Sequence, residues 1–239
     1  MRGKLYAVGV GPGDPELLTF KAARIIRQCS DIALPKGAKT EGLALQIAKA
    51  AAGPELSGKN IMEINFPMVK NLSVEDLRPG AEMVLSVLNE GRDVAFLTLG
   101  DPCLYSTFFR LAGAIHEISP GVEMEIVPGV SSVNASAALS KVPLALADQK
   151  VAIVPAVYGT FGIKGDGLDS ALKDFDTIIL LKVHSVLGKL KKRLADMELL
   201  DNAVFISRAG LHGEKTCPLG EAREDGADYF SIVIIRKKK

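Results

Sequence analysis

Three glycine-bearing turns, each placed directly after an apolar run, are where this chain could do chemistry. A residue without a Cβ lets main chain approach a ligand closely. The first is Gly9-Val10-Gly11-Pro12-Gly13-Asp14-Pro15, after Leu5-Tyr6-Ala7-Val8. It is not a dinucleotide fingerprint: Asp14 stands where the third glycine belongs. Leu34-Pro35-Lys36 also replaces the acidic residue that would bind a ribose. The plain alternative is a tight turn in which Asp14 caps a helix and Pro15 takes its first position. The second turn is Thr98-Leu99-Gly100-Asp101-Pro102-Cys103-Leu104-Tyr105. Gly100 would open backbone access at a strand end, and Asp101 could accept hydrogen bonds from an amine or hydroxyl, or simply cap a helix. The third is Val127-Pro128-Gly129-Val130-Ser131-Ser132-Val133-Asn134-Ala135. There a helix N-terminus would offer free N–H groups, and the two hydroxyls would add donors or act as a cap.

Other chemistry-bearing residues are sparse. His116, His184 and His212 are scattered. His116 falls on a helical pattern and reads as structural or surface, while His184 and His212 follow apolar runs. No catalytic triad and no metal-ligand set stands out. Cys29, Cys103 and Cys217 are widely spaced and odd in number, which speaks against a disulfide framework and fits a reducing, cytoplasmic setting.

The elements that must position these turns alternate between strand and helix. Strands are expected at Leu5–Val8, Asp31–Leu34, Ile61–Phe66 and Val94–Leu99. Helices are expected from Leu18 to Cys29, over 42–52, from Ala81 to Asn89 and from about Tyr105 to Ile118. That order argues for an α/β half with a largely parallel sheet. Ser119-Pro120-Gly121 breaks the pattern, so the expected domains are 1–119 and 120–239. The second half restarts with Met124–Val127 and a small-residue helix from Ser131 to Ser140. Further strands are expected at 151–154, 177–183, 203–207 and 229–235, with a loop from Gly159 to Gly167. A cleft between two α/β domains is a preferred place for a small-molecule site.

Bulk composition narrows the function classes. The 239 residues are 48% hydrophobic and 24% charged, as in a globular protein with ample core. Twenty-nine basic residues against 28 acidic ones give a net charge of +1. Nothing there favours nucleic acid or an anionic membrane. The apolar stretch near the start is too short for a secretory leader, and no run approaches a membrane span.

Taken in order and spacing, the three turns resemble those of the tetrapyrrole methylase family. A finer resemblance, to the precorrin-2 or cobalt-factor II carbon-20 methyltransferases, is carried by Leu34-Pro35-Lys36-Gly37, Asn65-Phe66-Pro67-Met68, Phe96–Pro102 with Tyr105-Ser106-Thr107, and Ser131–Ala135. The uroporphyrinogen methyltransferases and diphthine synthases are poorer matches. The resemblance runs from Leu5 to Ile235. It implies two α/β domains with the active-site cleft between them, a homodimer, and S-adenosyl-L-methionine as cofactor. The implied cofactor contacts are Pro12, Leu99, Gly100, Asp101, Leu104, Ser131, Ser132, Lys182, Ala209 and Gly210. Lys182 departs from the apolar residue common in the broad family but suits the finer group. The implied substrate carries many carboxylates, so Lys36, Lys182 and Arg208 are candidate substrate contacts. Lys70 is a further cation, better read as a solvated charge. No catalytic residue is implied: methyl transfer from a sulfonium to an electron-rich ring carbon needs mainly alignment, which can be worth ~7–11 kcal/mol. The alternatives are a sibling methylase acting on another ring position or substrate, and a non-catalytic nucleotide-binding module.

Overall fold

The computed structural model describes residues 1–36, 42–53, 56, 58–67, 73–156, 167–225 and 227–237. By contacts the chain divides into two units, Met1–Ser131 and Ser132–Lys239.

The first unit contains β1 (Leu5–Gly9), α1 (Phe20–Gln28), β2 (Asp31–Lys36), α2 (Leu43–Ala52), β3 (Asn60–Asn65), α3 (Val74–Asn89), β4 (Val94–Thr98), α4 (Phe108–Ile118) and β5 (Met124–Val127). Its strands form one parallel sheet in the order β3-β2-β4-β1-β5. Alternation along β1 shows why both faces are covered. Leu5 and Ala7 point into the core built with α3 and α4, whereas Tyr6 and Val8 pack on the core built with α1 and α2. A parallel strand buried on both faces reads as a continuous apolar run, as β1 and β4 do.

Several boundaries differ from expectation. The domain division falls after β5 and not at 119/120, because β5 pairs with β1 from Leu5↔Met124 to Val8↔Val127 and so completes the first sheet. α3 begins at Val74 and not at Ala81, and carries Pro79 inside it. Its start is held by a capping box: Ser73 Oγ accepts from Asp76 N at 3.2 Å, and Asp76 Oδ2 accepts from Ser73 N at 2.8 Å. α4 begins at Phe108 and not near Tyr105, whose left-handed φ of 54° keeps it out of the helix.

The second unit contains α5 (Ser132–Ser140), β6 (Val151–Pro155), α6 (Gly167–Asp174), β7 (Thr177–Leu181), α7 (Leu187–Asp196), β8 (Ala203–Ser207), β9 (Lys215–Pro218) and β10 (Ser231–Arg236). The sheet order is β6-β7-β10-β8-β9, with β6 and β7 parallel and the other pairs antiparallel. Leu168, Leu172, Leu187, Leu190 and Leu194, from α6 and α7, pack with Ile178, Phe205 and Val233 of the sheet. α5 lies against β8, β9 and β10. The expected loop from Gly159 to Gly167 lies, except for Gly167, outside the described residues. Each unit is therefore an α/β layer structure, and the chain is a two-sheet α/β protein.

Candidate functional site

In the first sheet the chain leaves β1 across β4 toward β2, and leaves β4 across β1 toward β5. The connecting helices α1 and α4 lie on opposite faces. The carboxyl ends of β1 and β4 therefore flank a topological switch point, where open α/β sheets bind ligands. Two of the three glycine turns start there, and the third follows the adjacent β5.

These turns interlock through main chain. Gly11 N donates to Gly100 O at 3.3 Å and Gly100 N to Gly11 O at 2.7 Å, an antiparallel bridge between two parallel strands' extensions. A Cβ on Gly9 would lie 2.6 Å from the Gly100 carbonyl oxygen and 2.7 Å from Gly129 N. A Cβ on Gly129 would lie 2.3 Å from that same oxygen. All three turns are thus in backbone contact, which only glycine permits. Gly100 itself has a φ of 67°, in the left-handed region that favours glycine.

Asp101 ties this junction. Its Oδ2 accepts from Gly129 N at 3.0 Å and its Oδ1 from Cys103 N at 2.8 Å. Both carboxylate oxygens are engaged by backbone donors, so the side chain clamps the second turn to the third. No helix follows directly; Asp101 forms a side-chain turn in place of the helix cap that was the plain alternative. Thr98 Oγ1 lies 3.2 Å from Ser106 Oγ, which in turn accepts from Phe108 N at 3.1 Å at the start of α4. In the first turn Asp14 Oδ1 accepts from Glu16 N at 2.9 Å, capping a single 3-10 turn that Pro15 opens. Pro12 and Gly100 are buried, Leu99, Asp101 and Leu104 half-buried. Ser131 precedes α5 and Ser132 opens it.

The remaining expected residues stand at strand ends. Lys36 ends β2 and is exposed, and Lys70 lies outside the described residues. Lys182 follows β7, and Arg208, Ala209 and Gly210 follow β8. The N–H of Gly210 already donates to Glu214 Oε2 at 2.9 Å. Arg208 is half-buried and ion-paired: its Nη1 lies 2.6 Å from Asp228 Oδ2. Lys182 stands over the ring of Tyr229, 5.1 Å from its centroid. His184 packs near the same ring, His116 is on the surface of α4, and His212 is exposed with its carbonyl accepting from Arg208 Nε. Asp228, Tyr229 and Glu214 carried no signal in sequence: each meets its partner only through strand pairing or loop closure.

The chain is 36% identical to a probable cobalt-precorrin-2 C(20)-methyltransferase of Methanocaldococcus jannaschii, over 99% of this chain and 97% of that one. It is 33% identical to the cobalt-precorrin-2 C(20)-methyltransferase of Salmonella typhimurium, over 100% and 98%. Among solved structures, that of a cobalt precorrin-4 methyltransferase superposes with a TM-score of 0.74 at 25% identity, covering 98% of this chain and 94% of that one. A Thermus thermophilus uroporphyrin-III C-methyltransferase, solved complexed with S-adenyl homocysteine, shares the fold, with a TM-score of 0.66 at 21% identity and 98% coverage of both chains. Residues 4–223 match the model of the Tetrapyrrole (Corrin/Porphyrin) Methylases, and the chain belongs to that family.

Proposed function

We propose that this chain is an S-adenosylmethionine-dependent C-methyltransferase that methylates carbon 20 of precorrin-2 or cobalt-factor II in cobalamin biosynthesis. The observation that carries the reading is the junction of Gly9, Gly100 and Gly129 at the switch point, where three turns present main chain rather than side chains. Such a surface suits the amino-acid end of the cofactor, which needs backbone acceptors and donors at close range. The substrate assignment is supported by full-length relatives bearing that activity in their names.

Pro12, Leu99, Gly100, Asp101 and Leu104 would hold the methionine part, with Ser131 and Ser132 adding hydroxyls. Lys182, Ala209 and Gly210 are the expected adenosine contacts, although Gly210 would contribute through groups other than its engaged N–H. When bound, S-adenosylmethionine supplies an electrophilic methyl on a sulfonium. The chain's own work is alignment: the Asp101 clamp and the glycine contacts keep the cradle in one conformation, and preset orientation can be worth ~7–11 kcal/mol. No residue is assigned the proton that leaves the bridge carbon; water or a weak acceptor suffices for it. Lys36, Lys182 and Arg208 would meet substrate carboxylates. We also expect a homodimer. A reducing cytoplasmic setting is expected as well, from the wide spacing and odd number of Cys29, Cys103 and Cys217.

The test is to supply the purified enzyme with precorrin-2 and with cobalt-factor II, using a carbon-labelled methyl donor, and to locate the label by NMR. Label on carbon 20 is expected. Label on a pyrrole-ring carbon rejects the carbon-20 assignment and leaves the family intact. If S-adenosylhomocysteine binds but neither tetrapyrrole is methylated, a sibling substrate is indicated. Binding of NAD alone in calorimetry would overturn the methyltransferase reading.

A further inference from the structure

β7 and β8 flank β10, which runs antiparallel to both, with Ile232 opposite Leu181 and Ser231 opposite Ser207. Lys182, Arg208 and the Asp228-Tyr229-Phe230 turn that leads into β10 therefore lie together at one end of the second sheet's three central strands. Both cations have a φ of 58°, a left-handed conformation unusual for residues with long side chains. Backbone held in such a region is a pointer to function.

The turn engages both cations, each differently. Asp228 Oδ2 accepts from Arg208 Nη1 at 2.6 Å, and Phe230 O accepts from Arg208 N at 2.9 Å. Arg208 Nε donates to His212 O at 2.8 Å, so Nη2 alone of its nitrogens makes no hydrogen bond among the described residues. Lys182 has no carboxylate partner among the described residues; it has the face of Tyr229. That ring is itself flanked by Phe230 at 5.5 Å and His184 at 5.8 Å between centroids, which fixes its plane. The distinction matters physically. A carboxylate beside Lys182 would neutralise it, whereas an aromatic face orients the ammonium and leaves its charge and donors for an incoming anion.

We propose that Tyr229 and Asp228 are positioning residues that hold Lys182 and Arg208 as a preset cation pair for substrate carboxylates, with Lys182 the principal anchor. The proposal rests on the tetrapyrrole reading above, and assigns to that site two residues which touch no reacting atom.

Steady-state kinetics on Tyr229→Leu, Tyr229→Phe, Lys182→Met and the double variant Lys182→Met/Tyr229→Leu test it. Tyr229→Leu should raise KM for the tetrapyrrole roughly 3- to 30-fold, the range of a half-desolvated cation–ring contact, with kcat changed by less than about twofold. Tyr229→Phe, which keeps the ring face, should restore the parent KM. In the double variant the tyrosine change should add nothing, because its effect acts through the lysine. An unchanged KM in Tyr229→Leu, or additive effects in the double variant, overturns the proposal. So does a loss confined to S-adenosylhomocysteine affinity, which would assign Lys182 to the cofactor alone. If the parent enzyme turns over neither tetrapyrrole, the functional reading fails separately. The cation pair is then tested by titrating uroporphyrin, a polycarboxylate porphyrin, followed by its absorbance. Equal weakening in Lys182→Met and Tyr229→Leu supports the pair; binding as tight as the parent's overturns it.

Discussion

At the scale of single residues, the site is decided by atoms that are absent. A methyl group on Gly129 would meet the Gly100 carbonyl oxygen at 2.3 Å and Gly9 Cα at 2.9 Å. Both neighbours are main chain and cannot rotate away. Gly129→Ala should therefore cost about 1–3 kcal/mol, visible as a lower urea midpoint, and should weaken S-adenosylhomocysteine binding in calorimetry. Gly113 makes the contrast. It lies in α4 with nothing within 4 Å of its would-be Cβ. Gly113→Ala should stabilise by about 0.5–1 kcal/mol without touching cofactor affinity. The cysteines report on the same loop. Cys103 is exposed beside the Asp101 clamp, while Cys29 is buried and its thiol is pushed up to about 12 by burial, helped by the charge of Asp93. Iodoacetamide followed by mass spectrometry should label Cys103 and spare Cys29. Protection of Cys103 by S-adenosylhomocysteine is expected if the cradle binds the cofactor.

Elements show how local choices hold the turns in place. α1, β5 and the residue leading into β1 are tied by a charge cluster: Lys21 Nζ lies 2.7 Å and Lys4 Nζ 2.9 Å from Glu125 carboxylate oxygens. The hydrogen bonds from Lys21 and then Lys4 hold the Glu125 carboxyl down at about 2, from an ordinary 4.5. A depressed carboxyl stabilises the fold above its unfolded value and loses that contribution as pH falls through the folded one. The parent's melting temperature should thus fall between pH 4.5 and about 2 more steeply than that of Glu125→Gln, in scanning calorimetry. The strand ends of the second sheet carry the opposite balance. Lys182 pays for its left-handed φ of 58° with conformational strain. Lys182→Gly should relieve about 1 kcal/mol, raising the melting temperature while raising KM for the tetrapyrrole. Several of these elements were legible from spacing alone, such as β1, β2, β4 and α2. The first half of α3 was not, because Pro79 reads as a breaker unless the Ser73–Asp76 cap upstream is given equal weight. β9, only Lys215–Pro218, has no apolar alternation to announce it and exists because Phe205 pairs with Cys217.

At the scale of the whole molecule, the chain divides at Ser131/Ser132, between two sheets of different character. The first is parallel throughout and the second mainly antiparallel. A homodimer is expected, and sedimentation at micromolar concentration should show a species of twice the chain mass; small enzymes of this kind are commonly symmetric pairs. A chain-mass species alone would reject that expectation.

Sequence by itself determined the local part of this protein: which segments are apolar enough to be strands, that three glycine turns follow strands β1, β4 and β5, and, through their order, the family. Those properties depend on residues near one another along the chain. Tertiary structure alone decided that Gly9, Gly100 and Gly129 touch, that Asp101 spends its carboxylate on Gly129 and Cys103, that β5 belongs with the first sheet, and that Tyr229 and Asp228 meet Lys182 and Arg208. The reason is physical. Each of those contacts joins segments separated by a crossover or a strand pairing, and register between distant strands is set by how all the side chains pack together, which no local window of sequence contains.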